Sequence, residues 1–275
     1  MLASLEDGYA GLELDLVLTA DGVPVLSHDP WVHETLCERV IPETGGATQT
    51  DGLAGVDGKV RIDGLTLEAL QSQYVCGGLP DPDFPNAVLR AESVLSFDEL
   101  LTALRFADAD ILVHLDVKVH PGWTPPAEAY AEAILSRWYA ADPPQPYYVS
   151  ADRIEVLQAF ETWGATAGVD VESRLSWPRF PVDPDDPAAP SAASVVLNAE
   201  AALALGTADP LRLIEQNGLD GLQLYWELAD RHTARIARDR GYEVALWTIN
   251  EPHQLTAHAR WPVSGLITDY PGDRP

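Results

Sequence analysis

Short apolar runs alternate with longer amphipathic stretches along this chain, and that alternation restricts the fold more than any single residue does. The runs are Gly11 to Thr19, Ile111 to Lys118, Tyr147 to Ser150, Ala165 to Val171, Gly221 to Trp226, Glu243 to Asn250 and Gly265 to Asp269. Ser96 to Phe106, Ala127 to Tyr139, Asp152 to Trp163 and Leu228 to Arg240 carry apolar residues at helical spacing, with Ser96 and Asp152 as caps. Strand and helix in turn predict parallel strands joined by crossover helices, an α/β fold. At 275 residues the chain is long enough for a single TIM-type (β/α)8 barrel, and residues 1–275 are expected to form one domain. Pro42 to Gly64, within an irregular region near 30–95, and Pro178 to Ala193 read as loop excursions. Such a barrel has eight strands. The runs supply seven, and a helical fragment over Leu2 to Gly8 leads directly into the first of them, so the first barrel strand is expected to be lacking.

Charge narrows the function. With 17 Lys and Arg against 43 Asp and Glu the formal net charge is −26, which excludes a nucleic-acid binder that reads phosphates by bulk charge. No apolar run approaches the roughly 18 residues of a membrane span. An anionic substrate would be repelled unless a metal or local cations reverse the field, and the chain has only two lysines, Lys59 and Lys118. Cys37 and Cys76 fit either of two readings: unrelated small buried residues, or a disulfide worth roughly 3 to 4 kcal/mol that requires an oxidising compartment. A paired state favours an extracytoplasmic location; Met1 to Asp7 show no secretory pattern.

The stretch from Gly11 to Asp29 is the most informative. Glu13 and Asp15 lie two apart in an otherwise apolar strand, so both carboxylates share a face, which in a parallel barrel is the packed interior. Side by side in a desolvated place they repel, at a cost of several kcal/mol that a divalent cation removes. Ala20-Asp21-Gly22 reads as a tight turn too short for a parallel crossover, so Val23 to Ser27 must return antiparallel. That return brings His28 back toward the carboxylates, where an imidazole with an ordinary pKa near 6.5 serves as acid or base.

A second cluster, His114, Asp116, Lys118 and His120, occupies alternate positions of the run from Ile111. Asp116 is a candidate third carboxylate ligand, and Lys118 a point charge for a phosphate oxygen or a partner for Asp116. Trp247, near the end of its strand, is placed to line a substrate pocket, with a core role as the competing reading. His33, His232, His253 and His258 read as surface residues, and the Gly45 to Gly58 run as a loop without calcium-loop spacing.

Together these residues resemble the glycerophosphodiester phosphodiesterase family, within the phospholipase-C-like phosphodiesterase superfamily of barrels. The resemblance rests on Glu13-Leu-Asp15, the Leu18 to Val25 hairpin, His28-Asp29, Asp116-Val-Lys118, Trp247-Thr-Ile-Asn250 and Thr268-Asp-Tyr-Pro271. It implies that Glu13, Asp15 and Asp116 bind one divalent cation, magnesium or calcium, that His28 is one of two acid/base histidines, and that Lys118 contacts phosphate. The implied substrate is a small glycerophosphodiester, hydrolysed to glycerol phosphate and an alcohol. Two departures stand out: the family usually has Glu at the position of Asp116, and its His-Arg-Gly and Pro-Glu-Asn motifs do not occur in this chain. The second departure suggests an N-terminally truncated sequence, with His120 as a less favoured substitute histidine. Two alternatives go with it: a lyase-type enzyme that releases a cyclic phosphate, and a barrel that binds phosphodiesters without turnover.

Overall fold

Strand β1 (Gly11–Leu18) starts close against strand β5 (Leu112–Val117): a Cβ on Gly11 would lie 2.6 Å from the Leu112 carbonyl oxygen, so glycine is required there. Leu112 N donates to Ala10 O and Lys118 N to Leu16 O, two bonds that advance in step and make the pair parallel. The computed structural model describes residues 9–40, 59–78, 90–107, 111–120, 122–177 and 210–269. The helical fragment expected over Leu2 to Gly8, the Gly45 to Gly58 run and the excursion over Pro178 to Ala193 lie outside the described residues.

After β1 the chain turns at Asp21-Gly22, where Gly22 takes a φ of 71°. It returns as β2 (Pro24–Leu26), antiparallel to β1 with Leu16 opposite Leu26 and Leu18 opposite Pro24. This is the return expected from the short turn. Strands β6 (Tyr147–Ala151), β7 (Ser173–Trp177), β8 (Gly221–Tyr225), β9 (Glu243–Trp247) and β10 (Gly265–Leu266) continue from β5, each parallel to the last. The resulting sheet has the order β10-β9-β8-β7-β6-β5-β1-β2. A separate antiparallel pair, β3 (Cys37–Arg39) and β4 (Tyr74–Cys76), sets Cys37 opposite Cys76, and the two form a disulfide.

Seven α-helices lie among the described residues: α1 (Leu67–Gln73), α2 (Phe97–Phe106), α3 (Ala127–Ala141), α4 (Ile154–Ala167), α5 (Pro210–Asn217), α6 (Arg231–Asp239) and α7 (Pro252–His258). Two compact units divide the residues, and strands β1 and β5 run through both. One contains Met1–Glu13, Ala109–Asp116 and Gln145–Pro275. Its core is built from Val149, Leu222, Val244 and Leu246 on the strands, together with Val156, Leu157 and Phe160 of α4, all fully buried. The other contains Leu14–Asp108 and Val117–Pro144. There Val17, Val25, Val32, Ile62, Leu65, Leu70 and Tyr74 pack as one cluster, while Phe97 of α2 stacks on Trp138 of α3.

Two expectations are corrected. Ala165 to Val171 is not a strand: α4 continues to Ala167 and ends at Gly168, whose φ of 74° gives a left-handed helix stop. The strand is β7, Ser-Arg-Leu-Ser-Trp, whose buried Arg174 and Ser176 break the apolar pattern a sequence reading relies on. Asp152 is not the cap of α4; Arg153 occupies that position without a side-chain cap bond. Ser96, by contrast, forms a complete capping box with Glu99 at the start of α2.

Candidate active site

Along β1, Leu12, Leu14 and Leu16 are buried while Glu13 and Asp15 alternate to the other face and keep access to solvent. The expectation that both carboxylates are packed in the interior is therefore corrected: shared face and spacing hold, full burial does not. The third carboxylate, Asp116 on β5, is buried, with 9% exposure. Glu13, Asp15 and Asp116 each offer an oxygen, and these oxygens all lie within 4.8 Å of one another. Trans oxygens about a hard divalent ion such as calcium span about 4.8 Å, so three carboxylate oxygens this close form a donor set suited to one such ion.

Lys118 lies just beyond the end of β5, and its Nζ is 3.0 Å from Asp15 Oδ1. Lys118 thus forms an ion pair with Asp15, one of the two carboxylates on β1. The β-hairpin carries the chain back past Asp15, whose carbonyl accepts from Ser27 N at 3.1 Å, and so delivers His28 beside it. His28 is largely exposed and its Nδ1 lies 3.0 Å from Asp29 Oδ1. The hydrogen bond that His28 Nδ1–H donates to Asp29 is the main reason its pKa is raised above 6.5; partial desolvation by the surrounding chain opposes the rise, Asp15 adds to it and Lys118 opposes it. His33, read from sequence as a surface residue, reaches the other oxygen of Asp29, with Nε2 3.5 Å from Oδ2. Asp29, at 12% side-chain exposure, therefore stands between two imidazoles. The i to i+4 spacing of Asp29 and His33 was the available sequence signal.

Behind Asp116 lies a buried polar row that the sequence reading did not find. Ser150 on β6 donates to Asp116 Oδ1 at 2.7 Å, and His114 Nε2 lies 2.6 Å from the same hydroxyl. Gln223 of β8 reaches His114 Nε2 at 2.9 Å and the Tyr148 hydroxyl at 3.1 Å. Tyr148 stacks on His114, and the Arg174 guanidinium covers its ring at 3.7 Å. Burial, first of all, pushes the Tyr148 phenol well above its ordinary range, and Glu13 and Asp116 push it further. Gln223, a polar residue in Gly-Leu-Gln-Leu-Tyr, was the visible hint, because a buried amide requires partners.

Trp247 ends β9 with its ring against Tyr225, centroids 5.4 Å apart. Three residues on, Asn250 donates to Asp269 Oδ2 and accepts from Asp269 N, which ties together two short sequence blocks that are weak signals singly. His120 opens a turn in which its backbone N–H donates to Thr124 Oγ1. His258 is buried between Trp226 and Trp261, which corrects its reading as a surface residue; His232 and His253 are exposed as expected.

Residues 1–273 match the model of the glycerophosphoryl diester phosphodiesterase family. No curated protein matches the chain. Among solved structures, the chain is similar to a Silicibacter pomeroyi protein assigned to the glycerophosphoryl diester phosphodiesterases, with 20% identity, 98% of this chain and 82% of that one covered, and a TM-score of 0.74. It is also similar to a phosphodiesterase from Oleispira antarctica solved with its product sn-glycerol-3-phosphate, at 18% identity, 98% and 85% coverage and a TM-score of 0.65. A glycerophosphodiester phosphodiesterase from Parabacteroides distasonis matches at 15% identity, 98% and 83% coverage and a TM-score of 0.60. At these identities the structural likeness establishes the fold, the α/β barrel type expected from the sequence.

Proposed function

The chain belongs to the glycerophosphoryl diester phosphodiesterase family, and from that premise we propose that it hydrolyses small glycerophosphodiesters to glycerol phosphate and an alcohol with the help of one divalent cation. The observation that carries this reading is the meeting of Glu13, Asp15 and Asp116 oxygens within 4.8 Å, beside Lys118 and His28. Glu13, Asp15 and Asp116 would hold the cation. Magnesium or calcium bound there supplies a positive charge for a non-bridging phosphoryl oxygen and polarises the attacking oxygen.

The remaining steps belong to the side chains. Lys118, drawn toward the site by Asp15, presents its ammonium to the phosphoryl group and stabilises the charge that grows there in the transition state. His28, kept protonated to higher pH by Asp29, hands its proton to the departing alkoxide. Trp247 offers an indole face to the organic part of the substrate. The disulfide between Cys37 and Cys76 supports a place of action in an oxidising, extracytoplasmic compartment. None of the described helices is long and apolar enough to cross a membrane.

Phosphorus NMR of glycerophosphocholine incubated with the enzyme and magnesium or calcium tests the reaction. The expected product is a glycerol phosphate monoester with no cyclic signal at any time; a persisting cyclic phosphate overturns hydrolysis in favour of the lyase reaction, and unchanged substrate overturns turnover altogether.

A further inference from the structure

The buried row behind Asp116 has a direction that follows from its hydrogens. Ser150 has one hydroxyl hydrogen and two close polar neighbours, Asp116 Oδ1 at 2.7 Å and His114 Nε2 at 2.6 Å. If the hydrogen went to His114, an ionised Asp116 oxygen would face a hydroxyl lone pair at hydrogen-bond distance, which is repulsive. The hydrogen therefore belongs to Asp116, and the contact from His114 must be an N–H donating into Ser150. That assigns the hydrogen of His114 to Nε2. Gln223 Nε2 lies 2.9 Å from His114 Nε2 and donates to the Tyr148 hydroxyl at 3.1 Å; with the hydrogen on Nε2 of His114, the same contacts require the amide in the reverse orientation, its oxygen accepting from both neighbours. Ser150 is completely buried, Gln223 is 2% exposed, and His114 and Tyr148 are each 4% exposed, so water does not compete for these bonds.

We propose that Ser150 is a positioning residue for cation binding: its hydroxyl, held by His114 Nε2–H, fixes the Asp116 carboxylate in the orientation in which it can share an ion with Glu13 and Asp15. The inference rests on the reading of those three carboxylates as ligands, and it adds the group that sets the third one. Asp116 Oδ1 accepts from Ser150 at 2.7 Å, and a carboxylate, with two oxygens and about four lone-pair sites, can accept such a bond and still ligate an ion. Without the hydroxyl the short side chain regains its rotation, and its carboxylate must be ordered at the expense of binding. Groups of this kind behind a metal ligand typically govern affinity by about tenfold to a hundredfold.

Direct calorimetric titration of the substrate-free protein with magnesium or calcium tests this, using Ser150→Ala, Ser150→Cys and Glu13→Gln, with thermal melting of each variant as the folding control. The expected result is cation affinity reduced about tenfold or more in Ser150→Ala, reduced less in Ser150→Cys, which keeps a weak donor, and greatly reduced or abolished in Glu13→Gln. If Ser150→Ala does not fold, Ser150→Cys decides. Wild-type affinity in a folded Ser150 variant lacking the hydroxyl, alongside loss in Glu13→Gln, overturns the positioning role and leaves the ligand reading intact. Unchanged affinity in Glu13→Gln overturns the ligand reading and this inference with it. Nitrogen-15 NMR of the histidine side chains supplies an independent check: His114 carrying its hydrogen on Nε2 supports the assignment, and a hydrogen on Nδ1 alone overturns it.

Discussion

Lys118 Nζ lies 3.0 Å from Asp15 Oδ1, so one of the two lysines in the chain neutralises one of the candidate ligands. The pair is partly exposed, at 22% and 23% of the two side chains, and contributes little to stability. Its consequence is for chemistry. Lys118→Met is expected to lower kcat by about 10² or more, a loss in the range of a missing charge-stabilising donor, while cation affinity holds or rises because a competing positive charge has left. Steady-state kinetics and cation titration of the same preparation check both parts; weakened cation binding would contradict the role assigned to the lysine.

His28→Ala is expected to cut turnover by roughly 10² to 10⁴ with cation affinity intact, as the loss of a proton donor should. Kinetic assay and titration of the folded variant read this.

The pH profile tests the link between His28 and Asp29. The folded-state pKa of His28 is raised, chiefly by its hydrogen bond to Asp29. An acid that must be protonated loses activity as pH rises through that raised value, so kcat/KM falls on the alkaline side. In Asp29→Asn the fall begins at lower pH. The associated stability has the same sense: it is fully present below the unfolded pKa near 6.5 and disappears as pH rises through the folded value. A profile whose alkaline limb is unmoved in Asp29→Asn contradicts the pairing.

Stability at low pH reports on the start of α2. Ser96 Oγ donates to Glu99 Oε2 at 2.6 Å, and the Ser96 backbone N–H donates to it at 2.8 Å, so the Glu99 carboxyl is held below its ordinary value of 4.5. That stabilisation is present above the unfolded pKa and lost as pH falls through the lower folded one. Ser96→Ala is expected to cost about 0.5 to 2 kcal/mol at neutral pH, and less in acid, by denaturant titration.

Reduction of the disulfide between Cys37 and Cys76, which closes a separation of 39 residues, is expected to remove roughly 3 to 4 kcal/mol. Melting with and without a thiol reductant measures it.

Much of this was legible in the chain itself. Glu13 and Asp15 announce themselves because two carboxylates at strand spacing have no place in an otherwise apolar run. The antiparallel return to His28 follows from a turn too short for anything else. Other features depend on partners distant in sequence. The disulfide had two readings until β3 and β4 set Cys37 opposite Cys76. Ser150 and Gln223 are ordinary strand residues until β6 and β8 bring them to His114, and no local pattern records that meeting. Strand β7 escaped because Arg174 is buried by stacking on Tyr148, which a hydropathy pattern reads as a surface charge.

Chelation provides the most direct measurement: glycerophosphocholine turnover by protein stripped with EDTA, before and after magnesium or calcium is restored. The carboxylate trio predicts no turnover in the stripped protein and recovery with the added ion. Full turnover by stripped protein, verified free of metal by elemental analysis, would contradict it.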